Sequence, residues 1–269
     1  MQALRAAILD QREGRLDLAA LEIASIETPD LDPAPFLAVL DRIASAIAAR
    51  LPASTHGREF VRVANEYLFG DLGFRGNEID YNDPRNSCLN FVLDRRTGIP
   101  IALSVVYIEV ARRLDRPVSG VGLPGHFIVQ YHDGEFAAYI DPFHAGQLLT
   151  RDECRQLARD RTGSDADATA LAPVGTRYIV VRMLNNLRSA YFRSKQFDKM
   201  VAVTDLLIEA FPRNPEYYKA RGIARLRMRQ FRSAREDLEL YLKLAPDAAD
   251  REQIAQQLGS IHRWLGRLN

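Results

Sequence analysis

The strongest constraint on the fold is an internal repeat in the last third of the chain. The segments KQFDKMVAVTDLLIEAFPRNPEYY and RQFRSAREDLELYLKLAPDAAD align with an offset of 34 residues, since Gln196 falls on Gln230. Two further landmarks keep the same register, Ala190 with Ala224 and Pro212 with Pro246. An arbitrary pair of helices would not keep several landmarks in register, so this part of the chain is built from a repeated helical unit.

A helix–turn–helix period of this length, with proline closing the second helix, is the tetratricopeptide signature. Such units bury their faces only against neighbouring units. Two repeats and the terminal helix REQIAQQLGSIHRWLGRL form about the smallest stack that can do so. We therefore predict an all-α, tetratricopeptide-like domain over residues 177–269.

Composition excludes several classes of protein. The chain has 269 residues and a formal net charge of +1, so bulk charge predicts neither nucleic-acid nor membrane binding. The N-terminus carries acidic residues and lacks the pattern of a signal peptide. The two cysteines of the chain show no metal-binding spacing and are too few for a disulfide framework. We expect a cytoplasmic protein with no cofactor and no metal.

Ahead of the repeats, the hydrophobic pattern changes from helical to strand-like. Apolar residues at helical spacing predict a helical segment over residues 1–72, packed on a core at 73–162. In that core, IPIALSVVYIEVARRLD is apolar on most faces and predicts a buried helix. The segments VSGVGL, HFIVQY and FAAYID predict short strands. Small and polar residues predict a linker at 163–176.

Three motifs in the core carry a resemblance to a known family: NDPRNSCLNFVLDRRTGIPIALSVVYIEVARRL, GVGLPGHFIV and YIDPF. Together they resemble the transglutaminase-like core of a bacterial family, the invasion-gene regulator homologues, whose members carry C-terminal tetratricopeptide repeats. A similar core occurs in some F-box proteins. The resemblance implies an α+β fold related to the papain-like cysteine proteases, followed by the all-α repeat domain.

In that superfamily a nucleophilic cysteine lies in the first turn of the buried helix, a histidine opens the following strand, and an aspartate lies on the next. The resemblance therefore implies catalytic positions at Ser104, His126 and Asp141, with serine where the superfamily has cysteine. A thiol can ionise beside an imidazole, whereas a hydroxyl needs His126 as a general base and a formed oxyanion hole. Ser–His–Asp triads do function on several folds, so the substitution weakens this mechanism without disqualifying it.

Neighbouring residues have both a functional and a structural interpretation. Cys88 directly precedes a helix, and the N-terminus of that helix could lower the pKa of the Cys88 thiol, so Cys88 is the rival nucleophile. The alternative is that Cys88 is a small buried residue with a structural role. Asn86 and Asn90 are candidate donors to an oxyanion, with turn or capping duty as the alternative. His144 follows Asp141 closely and is a candidate for lining the same cleft. Metal binding by His126, His132 and His144 is not expected, because no further ligand is recognisable.

Residues 219–235 contain seven basic residues and no acidic one. Arg221, Arg225 and Arg229 recur every four residues, and Arg232 extends this stripe. One interpretation is a solvated face. The other is a cationic groove for an acidic protein or peptide partner, because first helices line the concave side of tetratricopeptide stacks. Few aromatic residues are available for stacking bases, so a nucleic-acid partner is less expected than a protein or peptide partner.

Two functions from different classes follow. In the first, the protein is a non-catalytic or vestigial member that acts as a protein-binding or regulatory module through its repeats and cleft. In the second, it is a Ser- or Cys-dependent amidohydrolase or acyltransferase that uses Ser104, His126 and Asp141 on a peptide-like substrate. The serine at position 104 favours the first.

Overall fold

The protein is described by a computed structural model covering residues 1–9, 14–52, 55–163 and 168–266. The chain divides into two compact units, Met1–Met183 and Leu184–Asn269. The α-helices are α1 Gln2–Leu9, α2 Leu16–Ala24, α3 Ala34–Ala48, α4 Gly57–Asn65, α5 Leu89–Arg95, α6 Pro100–Arg113, α7 Arg151–Thr162, α8 Thr176–Arg193, α9 Phe197–Ala210, α10 Pro215–Arg227, α11 Phe231–Leu244 and α12 Arg251–Gly266. The strands are β1 Arg75–Gly76, β2 Thr97–Gly98, β3 Val118–Val121, β4 Ile128–His132, β5 Ala137–Asp141, β6 Gln147–Leu149 and β7 Pro173–Val174. A π-helix at Glu66–Asp71 follows α4, and 3-10 turns occupy Pro84–Ser87 and Ala168–Leu171.

Helix α6 is the buried centre of the first unit. Pro100 occupies its first turn, where the missing N–H costs no hydrogen bond. Every residue from Pro100 to Ala111 is buried, as its apolar faces predict, and Arg112 and Arg113 bring the helix back to the surface. Because α6 is surrounded, polar side chains on it must find partners inside the protein or remain without them.

The main sheet has five strands in the order β6-β5-β4-β3-β7, and every pairing in it is antiparallel. A hairpin joins β4 to β5, with Val129 opposite Ile140 and Tyr131 opposite Ala138. This register places the residue before β4 near the last residue of β5. It therefore brings His126, two residues ahead of β4, toward Asp141, which ends β5.

A partly buried ion network anchors α2 and α3 to α6. The Arg113 guanidinium donates to Asp17 Oδ2 at 2.8 Å, to Glu109 Oε2 at 2.8 Å and to Asp41 Oδ1 at 2.6 Å. The side chain of Asp17 is fully buried. Burial opposes ionisation of Asp17, but hydrogen bonds from Arg15 and Arg113 outweigh it and lower its pKa to about 2. The carboxylate therefore stays charged in the folded protein.

Helices α10, α11 and α12 of the second unit share an apolar core. Tyr218, Leu238 and Tyr241 pack with residues of α12 in this core. Helices α10 and α11 approach closely at Gly222, where a Cβ atom would lie 2.9 Å from Leu238. In each repeat the residue before the Gln-Phe pair has positive φ, 59° at Lys195 and 60° at Arg229, so the two turns repeat in structure as well as in sequence.

The boundary between the two units falls inside α8, between Met183 and Leu184. Of the predicted linker at 163–176, residues 164–167 lie outside the described residues. The remainder includes a 3-10 turn and β7, which pairs with β3 in the main sheet. Across the described part of the chain, no helix combines the length and apolar character needed to cross a bilayer.

Candidate functional site

His126 is held in place from both sides of the turn that precedes β4. Gly125 has a φ of +70°, a conformation that favours glycine, and a Cβ there would lie 2.7 Å from Arg161 Cβ. Arg182 in α8 donates to the main-chain oxygens of Leu123 at 2.7 Å and His126 at 2.6 Å. The main chain at His126 is thus held by the turn at Gly125 and by the guanidinium of Arg182.

His126 and Asp141 form a buried hydrogen-bonded pair. His126 Nε2 lies 2.8 Å from Asp141 Oδ2, and the two residues are 2% and 1% exposed. Asp141 Oδ1 accepts from the main-chain N–H groups of Phe143 at 3.0 Å and His144 at 3.4 Å, which orients the carboxylate. Burial alone would raise the pKa of Asp141, but hydrogen bonds from His126 and His144 outweigh it and hold that pKa below its usual range.

His144 contacts the same carboxylate oxygen as His126. Its Nδ1 lies 2.7 Å from Asp141 Oδ2, and the two imidazole rings stack with centroids 5.7 Å apart. Both facing nitrogens donate to an ionised oxygen, so we assign the protons to His126 Nε2 and His144 Nδ1. The sequence suggested only that His144 lines the cleft, whereas the structure makes it a direct partner of Asp141. Within the described residues, this trio is the group able to hold a metal ion, with ligand atoms within 4.8 Å of one another.

Ser104 does not complete a hydrogen-bonded triad. Its side chain is 0% exposed on α6, and its Oγ has no hydrogen-bond partner among the described residues. His126 Nδ1, the ring nitrogen not used by Asp141, is likewise buried without a partner in that part of the chain. No hydrogen bond therefore joins Ser104 to His126 in this structure, so of the three residues expected in the triad only His126 and Asp141 are linked.

The other candidate residues serve local structure. Cys88 is fully buried and precedes α5, with its Sγ 3.6 Å from the main-chain oxygen of Pro84. Asn86 donates through Nδ2 to Asp80 O at 2.6 Å and accepts from Asn77 at 2.9 Å, so its amide closes the preceding loop instead of facing a substrate. Asn90 donates to Thr28 Oγ1 at 3.4 Å. Asn86 thus has the turn duty that was its alternative, whereas Asn90 makes one side-chain contact with Thr28 and no cap.

The second cysteine is no better placed for nucleophilic chemistry. Cys154 is buried in an apolar cluster with Val121, Leu123 and Ile128. Burial, together with the charge of Asp141, raises the pKa of its thiol to about 12. It therefore stays protonated at neutral pH, since only the thiolate is a strong nucleophile.

The arginine stripe is not a continuous feature of one helix. Helix α10 ends at Arg227, so Arg229 lies in the following turn and Arg232 in α11. Arg221 donates to Asp237 at 2.7 Å and to Asp205 at 2.6 Å. Arg225 donates to Asp237 at 2.9 Å. This corrects the expected stripe, because Arg221 and Arg225 are used inside the repeat domain.

A groove that was not predicted from the sequence runs along the second unit. It has a volume of about 900 Å³ and lies on α8, α10, α12 and the start of α11. Apolar side chains and amides share its lining: Phe192, Ile223, Leu226, Phe231, Ile261, Gln253, Gln256, Gln257, Ser260 and Arg227. The signal available in the sequence was the spacing of Gln253, Gln256 and Gln257, which places three amides on one helical face.

Comparison with known proteins agrees with this architecture. The family model described as "Transglutaminase-like superfamily" matches residues 34–185, and the "Tetratricopeptide repeat" model matches residues 187–259. A UPF0162 protein of Xylella fastidiosa (strain Temecula1) is 36% identical over 257 residues, which cover 94% of this chain and 92% of that protein. A UPF0162 protein of Pseudomonas aeruginosa is 31% identical over 94% of this chain and 93% of its own length.

Another relative matches a shorter part of the chain. F-box only protein 21 of Mus musculus is 37% identical over 133 residues, which cover 46% of this chain and 21% of that protein. The α+β fold followed by all-α repeats, predicted from the sequence, is confirmed. The matched regions and the full-length relatives lead to one conclusion: the chain belongs to the UPF0162 family, with a domain of the transglutaminase-like superfamily followed by tetratricopeptide repeats.

Proposed function

We propose that the protein is a peptide-binding module whose transglutaminase-like domain does not carry out acyl transfer. One observation carries this proposal: Ser104 Oγ, which the resemblance places where the superfamily has its nucleophile, is fully buried and makes no hydrogen bond to His126. A serine hydroxyl attacks only when a base within hydrogen-bond reach accepts its proton. A substrate carbonyl would also have to reach an oxygen enclosed by α6 and its neighbours.

The groove of the repeat domain supports an extended peptide as the ligand. Its apolar floor suits alternate side chains, while the amides of Gln253, Gln256 and Gln257 can pair with a peptide main chain. Arg227 is exposed on the groove and would favour an acidic side chain in the peptide.

The test compares two exposed aromatic residues of α8. Phe192 is 47% exposed and lines the groove, whereas Tyr178 is 45% exposed and lies outside its lining. Binding of the full chain to an array of acidic peptides, and to the same peptides with lysine in place of the acidic residues, would be measured by fluorescence polarisation. We expect Phe192→Ala to weaken binding about tenfold and Tyr178→Ala to leave it unchanged.

Binding that is equal for the acidic and lysine peptides would remove the role of Arg227. The absence of binding to either set, or an equal loss in both variants, would overturn the groove as the binding site.

The competing function, a serine-dependent hydrolase, is favoured by the intact 2.8 Å bond between His126 and Asp141. It predicts covalent labelling of Ser104 by a fluorophosphonate probe, because such probes trap activated serines. We expect no adduct at Ser104 in wild-type protein. An adduct that disappears in His126→Ala would reinstate the enzyme.

A further inference from the structure

We propose that His126, Asp141 and His144 form a binding site for a divalent transition-metal ion of the Zn²⁺ type. The two imidazole nitrogens approach one carboxylate oxygen from two sides, at 2.8 and 2.7 Å. All three ligand atoms lie within 4.8 Å of one another. An ion bound between them takes the place of the two ring protons that now bridge these atoms.

The donor set selects the class of ion. Two imidazoles and one carboxylate oxygen suit Zn²⁺ and its neighbours, whereas Ca²⁺ and Mg²⁺ prefer sites made of oxygen ligands. The surroundings keep the ligands in position, since Asp141 Oδ1 is held by two main-chain N–H groups while Oδ2 faces the histidines. Such outer contacts orient metal ligands in known sites.

A pocket gives the ion access to this cluster. Asp141 and His144 line a cavity of about 250 Å³ together with Gln147, Glu153, Gln156 and Asp160. The carboxylates of Glu153 and Asp160 make this entrance attractive to a cation. Because the protein would supply three ligands, a bound ion would keep a further coordination position for water or a small ligand, and this pocket is the side from which such a ligand could enter.

The affinity is limited by the second nitrogen of His126. When Nε2 binds a metal, the ring proton moves to Nδ1, and that buried atom has no acceptor among the described residues. Metal-bound histidines ordinarily donate this proton to a partner. We therefore expect weaker binding than that of a closed structural zinc site.

The test uses the full chain without an affinity tag, stripped with a chelator and titrated with ZnCl₂ against a chromogenic competitor. We expect one ion per chain, and a rise in melting temperature on adding Zn²⁺ because the ion binds the folded state. His144→Ala should weaken binding by at least about tenfold. His132→Ala is the matched control, since His132 is exposed on β4 and outside the cluster, and it should bind as the wild type does.

Asp141→Asn provides a second variant that keeps the side-chain shape and removes its charge, with circular dichroism confirming that each variant is folded. It should weaken Zn²⁺ binding as His144→Ala does. A wild-type protein that binds no stoichiometric Zn²⁺ would overturn the site and leave a purely hydrogen-bonded cluster. Equal losses in His144→Ala and His132→Ala would also overturn it.

Discussion

At Ser104 the surroundings decide the chemistry more than the side chain does. The residue sits on the most buried helix of the first unit, where neither water nor a substrate reaches its oxygen. Burial in apolar surroundings raises the pKa of a thiol, and that makes a buried cysteine inert. The same environment that leaves the hydroxyl without a partner would therefore suppress a cysteine at this position.

We accordingly predict that Ser104→Cys does not create a reactive thiol. Its alkylation by iodoacetamide, followed by mass spectrometry of the labelled peptide, should be at least about tenfold slower than that of Ser194→Cys. Ser194 is exposed, so its cysteine variant reports the rate of an accessible thiol. If Ser104→Cys reacts faster than this reference and loses its reactivity with His126→Ala, the site is preorganised for catalysis and the non-catalytic proposal is wrong.

The order of His126 and Asp141 along the chain, and the strands they flank, was enough to predict that they meet, because a hairpin register fixes which strand ends are neighbours. The position of His144 could not be predicted in this way. The chain turns back after Phe143 through Ala145 and Gly146, both with positive φ. Alanine gives no sequence signal for that conformation, so the second histidine on Asp141 appears only in the structure.

At the scale of elements, the arginines of the repeat domain join helices to each other. Asp237 on α11 is 4% exposed and accepts from both Arg221 and Arg225 on α10. The regular four-residue spacing predicted a single helical stripe, and it failed at Arg229 because that residue takes a φ of 60° after the helix ends. Periodicity could not reveal this end, since neither glycine nor proline marks it.

The structure predicts that arginine-to-glutamate substitutions at two sites four residues apart change the stability of the protein by very different amounts. Arg225→Glu places a carboxylate beside the buried Asp237 and should destabilise the protein by about 3 kcal/mol. Arg229→Glu lies on an exposed turn and should change stability by no more than about 0.5 kcal/mol. Urea denaturation of the full chain measures both. Equal effects would show that Arg225 is as dispensable as a surface arginine.

At the scale of the whole molecule, acid should weaken the first unit through Asp17. Its folded pKa of about 2 lies below the ordinary 3.8, so its contribution is complete above about pH 4 and is lost as the pH falls to about 2. The difference corresponds to roughly 2 kcal/mol. We predict that Asp17→Asn loses about this much stability at neutral pH and shows a shallower decline between about pH 4 and 2 than the wild type.

Asp41→Asn is the matched control, because Asp41 pairs with the same arginine but is 64% exposed. It should change stability by less than about 1 kcal/mol. The measurement is the urea midpoint of the wild type and of both variants across this pH range. An acid-induced loss that is identical in wild type and Asp17→Asn would place the sensitive carboxylate elsewhere.

The hydrogen bonds from Arg182 have a consequence for where the protein can be cut. A fragment ending in the stretch 163–176 would keep every strand from β1 to β6, together with Ser104, His126 and Asp141. It would nevertheless lack the guanidinium that binds the main-chain oxygens of Leu123 and His126. The main-chain oxygens of Leu123 and His126 would lose this charged donor, and only the N–H of His126, 3.2 Å from Leu123 O, would still hold the turn. An isolated first domain that keeps the native position of His126 therefore has to include the first half of α8.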